Sequence, residues 1–441
     1  MTLTAGNFYS AASHVVAMLG PRGLKDKIYS DVIDAAGNQY VDLVMEGGGV
    51  LGIALAGYVY ILEQVQLRFV GIGGASAGSI AALILGASGP PSQSKSGRLM
   101  EILANVPMAS FMDGKDDDDE DAADFVNTML SEPSFLKGMA KGLQVVDNLK
   151  EIKGLNRGEK FHQWLKSVLE KQGITSTAEL RARMATTPEG WTLRPNPHQT
   201  SQLDGNASLP PLDPLKHHLC LVAADISTET KVEFPRMAEL YWQIPDAVHP
   251  ADYVRASMSI PVFFSPYRVP LPAPNKDHWK EHAGLDSAKN PRFPPKQACF
   301  VDGGVMSNFP IDVFHSTHKV PSRPTFGVKL EYDERSHEIS NVLELIGQTF
   351  NASRHCLDYE FIRKNPDFQQ LVGYIDTKEH HWLKFEMAEK EMTDLFVLGA
   401  EAALDFLTKF DWGAYKNTRA HLIGAYRIAD EHKKQTKNID Q

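Results

Sequence analysis

Apolar residues along this chain gather in short blocks that run into glycine-rich turns. In "YVDLVMEGGGVLGIALAGYVYILEQ" the block Val41 to Met45 predicts a strand, the glycines a tight loop, and the residues after Gly52 a helix to about Gln64. The pattern returns in "QLRFVGIGGASAGSIAALIL". The uncharged stretch that starts at Phe69 continues to Ser94, long enough to cross a bilayer. Its first half, however, holds Gly71, Gly73, Gly74 and Gly78, each of which weakens a helix by about 1 kcal/mol relative to alanine. A buried strand, a turn at Gly74 to Gly78 and a buried helix to about Leu85 accommodate those glycines. Two strand–turn–helix units in succession predict an α/β fold with a central, mostly parallel sheet.

Further on, "EKFHQWLKSVLEK" places Phe161, Trp164, Leu165, Val168 and Leu169 on one helical face, expected to pack on the sheet rather than on lipid. "HHLCLVAADIS" predicts a buried strand and "ADYVRASMSIPVFFSP" a helix ending in a proline-marked turn. "ACFVDGG" and "TFGVKL" predict two more strands. Proline-rich stretches at about 184–216 and 271–296 read as surface insertions. The expected organisation is an extension over 1–40, a main unit over 41–330, and a mainly helical region over 331–441 packing on it. In that last region Leu395, Leu398, Ala402 and Phe406 form one stripe.

Composition narrows the class. Hydrophobic content of 43% and aromatic content of 9% suit a soluble globular protein. The net charge of −10 argues against a nucleic-acid partner. It is unevenly placed: in "DGKDDDDEDAAD", Asp113 to Asp124, eight acids against one lysine supply −7 of it. That run lacks the spacing of a calcium loop and reads as a solvated loop, or else as a lid or regulatory segment. Cys220, Cys299 and Cys356 are odd in number and far apart, which fits a reducing cytoplasm better than a disulfide scaffold. The N-terminus has no basic start followed by a clean apolar block, so no secretory signal is expected. The adjacent pairs His217-His218 and His380-His381 point different ways on a regular element, and no metal or other cofactor is expected.

Three segments carry candidate chemistry. Gly74-Ala75-Ser76-Ala77-Gly78, between strand and helix, has the form of a nucleophile elbow. Gly47-Gly48-Gly49-Val50-Leu51-Gly52 fits the dinucleotide fingerprint, but that reading needs an acid about 20 residues on, where the chain offers Gly71, Ile72, Gly73 and then the serine. Dinucleotide binding therefore stays a remote alternative. The same loop suits an oxyanion, because a glycine turn at a helix N-terminus offers backbone N–H donors without obstruction. The third segment, "ACFVDGGVMSNFP", delivers Asp302 to a strand end before Gly303 and Gly304; alone, it could be an ordinary Asp-Gly turn.

Taken together and in this order, "EGGGVLG", "GASAG" and "VDGG" resemble the patatin-like phospholipase family, as do "LVAADIS" and "VRASMSIPVFF". The resemblance covers roughly Val41 to Leu330. It implies a three-layer α/β/α fold, a Ser–Asp dyad without histidine or metal, and a lipid or membrane-surface substrate whose acyl ester is hydrolysed. Carried onto this chain, Ser76 is the nucleophile, Asp302 the general base, and Gly47, Gly48 and Gly49 the oxyanion loop. Gly52, Gly74, Gly78, Gly303 and Gly304 occupy the remaining motif positions. A phospholipase A or lysophospholipase activity is expected, with a neutral-lipid esterase or thioesterase as the alternative. The family's loop commonly carries Lys or Arg where this chain has Leu51, which favours a neutral ester unless another basic residue, such as Arg255, substitutes.

Overall fold

The computed structural model describes residues 3–113, 154–194, 218–273, 276–286, 293–316, 318–331, 339, 349, 352–354, 358, 360–377 and 380–439. Within them a ten-stranded sheet is built from β1 (Val32–Ile33), β2 (Gln39–Met45), β3 (Leu67–Ala75), β5 (Thr192–Leu193), β6 (Leu219–Asp225), β7 (Thr230–Phe234), β9 (Tyr267–Pro270), β10 (Gln297–Asp302), β11 (Thr325–Glu331) and β12 (Val372–Asp376). A separate pair joins β4 (Gly154–Asn156) to β8 (Val262–Phe264). The main order is β12-β11-β2-β3-β6-β10-β9. From β12 to β6 every pairing is parallel; β10 and β9 then run antiparallel, so the sheet is mixed. Helices cover both faces. Burial of β2 and β3 on both sides explains their near-continuous apolar runs.

The uncharged stretch from Phe69 is core: β3 is followed by the helix Ala77–Ala87, nearly all of it buried. Among the described residues no helix is long and apolar enough to cross a membrane. The helix Glu159–Glu170 buries Phe161, Leu165 and Leu169. The expected helix at "ADYVRASMSIPVFFSP" is shorter: it spans Ala251–Ser257, and Val262–Phe264 leaves it to pair with β4. The second insertion is more than a surface loop, since its helix Lys276–Ala283 buries Trp279 against Tyr241, ring centroids 5.5 Å apart.

Two details of the C-terminal region go beyond its sequence pattern. The block "VGYID" is strand β12 inside a region expected to be mainly helical, and it extends the parallel sheet beyond β11. The buried stripe of the helix Glu389–Lys409 is also rotated from the expected one. Leu398 and Ala402 are half-buried, while Phe396, Gly399, Ala400 and Ala403 face inward. The reason is close backbone approach to the helix Gly52–Gln64. A Cβ on Gly57 would lie 2.8 Å from the Phe396 carbonyl carbon, and one on Gly399 2.7 Å from that of Ala54. The chain's first helix, Ala5–Ala11, then packs on the same helix through Phe8 and Phe396.

Candidate active site

Register brings the three segments together. Ala75, the last residue of β3, pairs with Val222 of β6, and the next residue of β6, Ala223, pairs with Asp302 of β10. Because β10 is antiparallel to β6, its C-terminal end descends to the level where β3 turns. The backbones carrying Ser76 and Asp302 are thus separated by two interstrand spacings, about 10 Å, which a serine and an aspartate side chain together nearly span.

Ser76 sits at φ 50°, ψ −124°, a strained conformation for a residue with a Cβ. Such strain costs about 1–3 kcal/mol and survives only where surroundings over-determine it. Here they do. A Cβ on Gly74 would lie 2.6 Å from the Gly78 carbonyl oxygen, and one on Gly78 2.7 Å from the Met45 carbonyl carbon. The elbow is wedged against the end of β2, so both flanking positions must be glycine. The Ser76 N–H donates to Ser257 Oγ at 2.9 Å, and that hydroxyl donates to the Val222 carbonyl at 2.6 Å. Ser76 Oγ lies 3.4 Å from Met258 Sδ. The Asp302 N–H donates to the Ser259 carbonyl at 2.8 Å. Three successive residues, Ser257 to Ser259, therefore hold both members of the pair, a role that the sequence did not disclose beyond the family-like character of "RASMS".

Ser76 and Asp302 are 3% and 1% exposed. Asp302 Oδ1 accepts the Gly304 N–H at 2.8 Å. Burial raises the Asp302 carboxyl above its ordinary value; the Arg354 guanidinium, the Ser76 hydroxyl and the Gly304 N–H pull the other way without cancelling it. Although the Ser76 hydroxyl acts on this carboxylate, Oδ2 has no donor at full hydrogen-bond geometry among the described residues. Gly303 is required because its Cβ would fall 2.7 Å from the Val222 carbonyl carbon.

The glycine loop lies directly on the elbow: a Cβ on Gly47 would be 2.8 Å from Ser76 Cβ, and one on Gly52 3.0 Å from Ala77 Cβ. The three glycines of the loop differ in what their N–H groups meet. The Gly47 N–H is already given to the Asn308 carbonyl at 3.1 Å, so Gly47 serves as a close-approach residue and cannot also bind an oxyanion. The N–H groups of Gly48 and Gly49 meet no acceptor among the described residues. Asn308, within "VMSNFP", also donates to the Gly47 carbonyl at 3.1 Å and clamps that residue from both sides. Arg354 Nη2 donates to the same carbonyl at 2.7 Å. The Trp382 carbonyl accepts the Val50 N–H at 3.0 Å. Neither Arg354 nor Trp382 stands in a recognisable motif.

Leu51 is a core residue, 2% exposed, and supplies nothing polar to the loop. Arg255 does not replace a cation there: it donates to Ser259 Oγ at 2.6 Å and to the carbonyls of Arg157 and Ser265 at 2.6 and 3.0 Å. Of the histidines after Asp302, His315 lies against Asp367 and Phe368, where burial pushes its pKa down to about 4, and His318 is exposed. His337, His355 and Cys356 lie outside the described residues, as does the acidic run beyond Asp113. Asp113 itself accepts the N–H groups of Gly158 and Lys160 at the start of the helix Glu159–Glu170. Among the described residues no group of three or more His, Cys, Asp or Glu is arranged to hold a metal. A cavity of about 450 Å³ beside Cys220, Glu233 and Phe314 includes neither Ser76 nor Asp302 in its lining.

The chain is 27% identical over 376 residues to the protein YqhO of Bacillus subtilis (strain 168), covering 85% of this chain and 100% of that one. Among solved structures it is similar to VipD from Legionella pneumophila, with a TM-score of 0.38 and 15% identity over 86% of this chain and 70% of that one. It is also similar to the ExoU–SpcU complex of the type III secretion system of Pseudomonas aeruginosa, with a TM-score of 0.33 and 13% identity over 90% and 61%. A model described as patatin-like phospholipase matches residues 43–315, more than half of the sequence and every element that carries Ser76, Asp302 and the glycine loop. This chain belongs to the patatin-like phospholipase family.

Proposed function

We propose that this protein is a serine lipid acyl hydrolase of the phospholipase A or lysophospholipase type, with Ser76 and Asp302 as a catalytic dyad. The observation that carries the reading is the meeting of a strained, elbow-borne Ser76 with a buried Asp302 whose carboxyl is raised above its ordinary value. A serine hydroxyl needs a base, and a carboxylate becomes a better one as its pKa rises toward the working pH. Ser76 Oγ attacks the ester carbonyl carbon while its proton passes to Asp302. The carbonyl oxygen becomes an oxyanion facing the N–H groups of Gly48 and Gly49. Collapse expels the alcohol, which takes the proton back from Asp302 and leaves an acyl-Ser76. Water, deprotonated by the same carboxylate, then releases the fatty acid and restores the hydroxyl.

Without a polar group at position 51 a headgroup phosphate has no partner there, so a neutral-lipid ester or thioester remains the second reading. The experiment is a mass-spectrometric comparison of mixed phospholipid, lysophospholipid and triacylglycerol vesicles treated with wild type or Ser76→Ala. Fatty acid and lysolipid should accumulate with wild type alone and persist in excess EDTA. Release from triacylglycerol alone would select the second reading. Equal release by the two proteins would remove Ser76 from the chemistry.

A further inference from the structure

The cation missing at Leu51 has a counterpart far along the chain. Arg354 is 6% exposed, its guanidinium carbon lies 4.9 Å from the Trp382 ring centroid, and its Nη2 donates to the Gly47 carbonyl at 2.7 Å. It approaches the Asp-Gly-Gly turn as well, since a Cβ on Gly304 would be 3.0 Å from Arg354 Cγ. Asn308 Nδ2 shares the Gly47 carbonyl at 3.1 Å. That carbonyl is one end of a peptide plane whose other end is the Gly48 N–H. The bond between Gly47 and Gly48 is trans, so the N–H points opposite to the carbonyl. Fixing the carbonyl on Arg354 and Asn308 therefore fixes the direction of the N–H.

We infer that Arg354 is a positioning residue for acyl hydrolysis: through the Gly47 carbonyl it orients and polarises the Gly48 N–H as an oxyanion donor. The inference rests on the proposed Ser76 chemistry and adds to it a residue outside 43–315, the span matched by the family model. Two effects support it. A charge-assisted hydrogen bond is stronger and more directional than a neutral one, so the plane is held more rigidly than Asn308 alone could hold it. A carbonyl that accepts from a cation also makes the amide it belongs to a better donor, because hydrogen bonds in a chain polarise one another. A glycine at each end of the plane has no side chain to restrict its rotation, so an outside anchor is needed.

The guanidinium also sets the charge around the base. Among the described residues, Arg354 is the charged side chain that acts on Asp302. The other ionisable groups at this loop, among the described residues, are Glu46, Lys329 and Asp358. Lys329 Nζ meets Glu46 Oε1 at 2.5 Å, and burial pushes Asp358 up to about 7 with Lys329 opposing and Glu46 adding to the rise.

The test uses the full chain with a soluble short-chain ester, comparing wild type, Arg354→Met, Arg354→Lys and Arg354→Gln. Each is assayed for kcat, KM, pH profile and inhibition by an alkyl trifluoromethyl ketone, which adds to Ser76 as a tetrahedral oxyanion. Loss of one oxyanion donor costs about 10²–10³ in kcat, so Arg354→Met, which disorients one, should lose about 10–100-fold with KM little changed. Ketone affinity should fall in parallel. The acid limb of kcat/KM should move to higher pH in Arg354→Met and Arg354→Gln and stay in place in Arg354→Lys, which also regains part of kcat. An unchanged kcat, or a rise in KM alone, overturns the inference. If Arg354→Met does not fold, the acid limbs and ketone affinities of the lysine and glutamine variants decide the matter in the same way. Absence of Ser76-dependent turnover in wild type would instead sink the proposed function, and the inference with it.

Discussion

The strand ends that carry Ser76, Asp302 and the glycine loop differ in kind from the C-terminal segment that braces them. In the first region, identity is forced by backbone geometry: a Cβ at Gly47, Gly74, Gly78 or Gly303 would fall on another part of the backbone or on Ser76. Only glycine fits, so the region shows itself as a dense local pattern. In the second, Arg354 and Trp382 reach the loop by long-range contacts, among them those to the Gly47 carbonyl and from the Val50 N–H. Their own backbone does not dictate which residue stands there. In the proposed reaction, one region would place the reacting atoms and the other would fix the angle at which the donors meet them.

Mutations can break this comparison or sharpen it. Among packing positions, the largest effect on rate is expected from Gly78→Ala, which forces the elbow away from the Met45 carbonyl; displacement of reacting atoms by about 1 Å costs on the order of 10² in rate. Labelling of Ser76 by a fluorophosphonate measures it, and normal labelling would show that the elbow tolerates a Cβ. Next, Lys329→Met leaves the buried Glu46 without its partner and should cost about 3–5 kcal/mol in urea unfolding. A loss under about 1 kcal/mol would mean that Asn308 and the Leu330 N–H satisfy Glu46 alone. Leu51→Lys places an ammonium in the core and should lose about 1–3 kcal/mol while changing phospholipid and neutral-ester turnover alike. A selective gain on phospholipid would restore position 51 as a headgroup contact.

The smallest effect concerns the resting protein. The raised carboxyl of Asp302 means that the unfolded chain ionises first as pH climbs from acid, so the native state carries a penalty at neutral pH. Asp302→Asn removes it, and its Tm should exceed that of wild type at pH 7. The difference should vanish below the ordinary aspartate pKa of about 3.9, where both states are protonated. A lower Tm at pH 7 would show the carboxylate to be stabilised in place.

Much of the fold was legible because buried strands and tight turns leave continuous apolar runs closed by glycines. The strands β2, β3, β6, β10 and β11 all fall where such runs stand. Strand β12 was hidden because its five residues lie among helical patterns, and only pairing with β11 makes them a strand. The helix Glu389–Lys409 was visible but its inward face was not, because small residues rather than large apolar ones mark a close helix crossing. At the site, the segments that carry Ser76 and Asp302 stand out by their motifs. That Gly47 gives up its N–H to Asn308, and that Ser257 and Ser259 hold Ser76 and Asp302, depend on contacts between segments far apart in sequence.

The central claim is that Asp302 alone activates Ser76. Its most direct test is steady-state turnover of a soluble ester by Ser76→Ala, Asp302→Asn and His315→Ala, each checked for folding by near-ultraviolet circular dichroism. Ser76→Ala and Asp302→Asn should both be folded and inactive to the same residual level, while His315→Ala keeps kcat within about twofold, because its imidazole lies against Asp367 and Phe368. Substantial turnover by a folded Asp302→Asn, or loss in His315→Ala matching that of Ser76→Ala, would contradict the dyad.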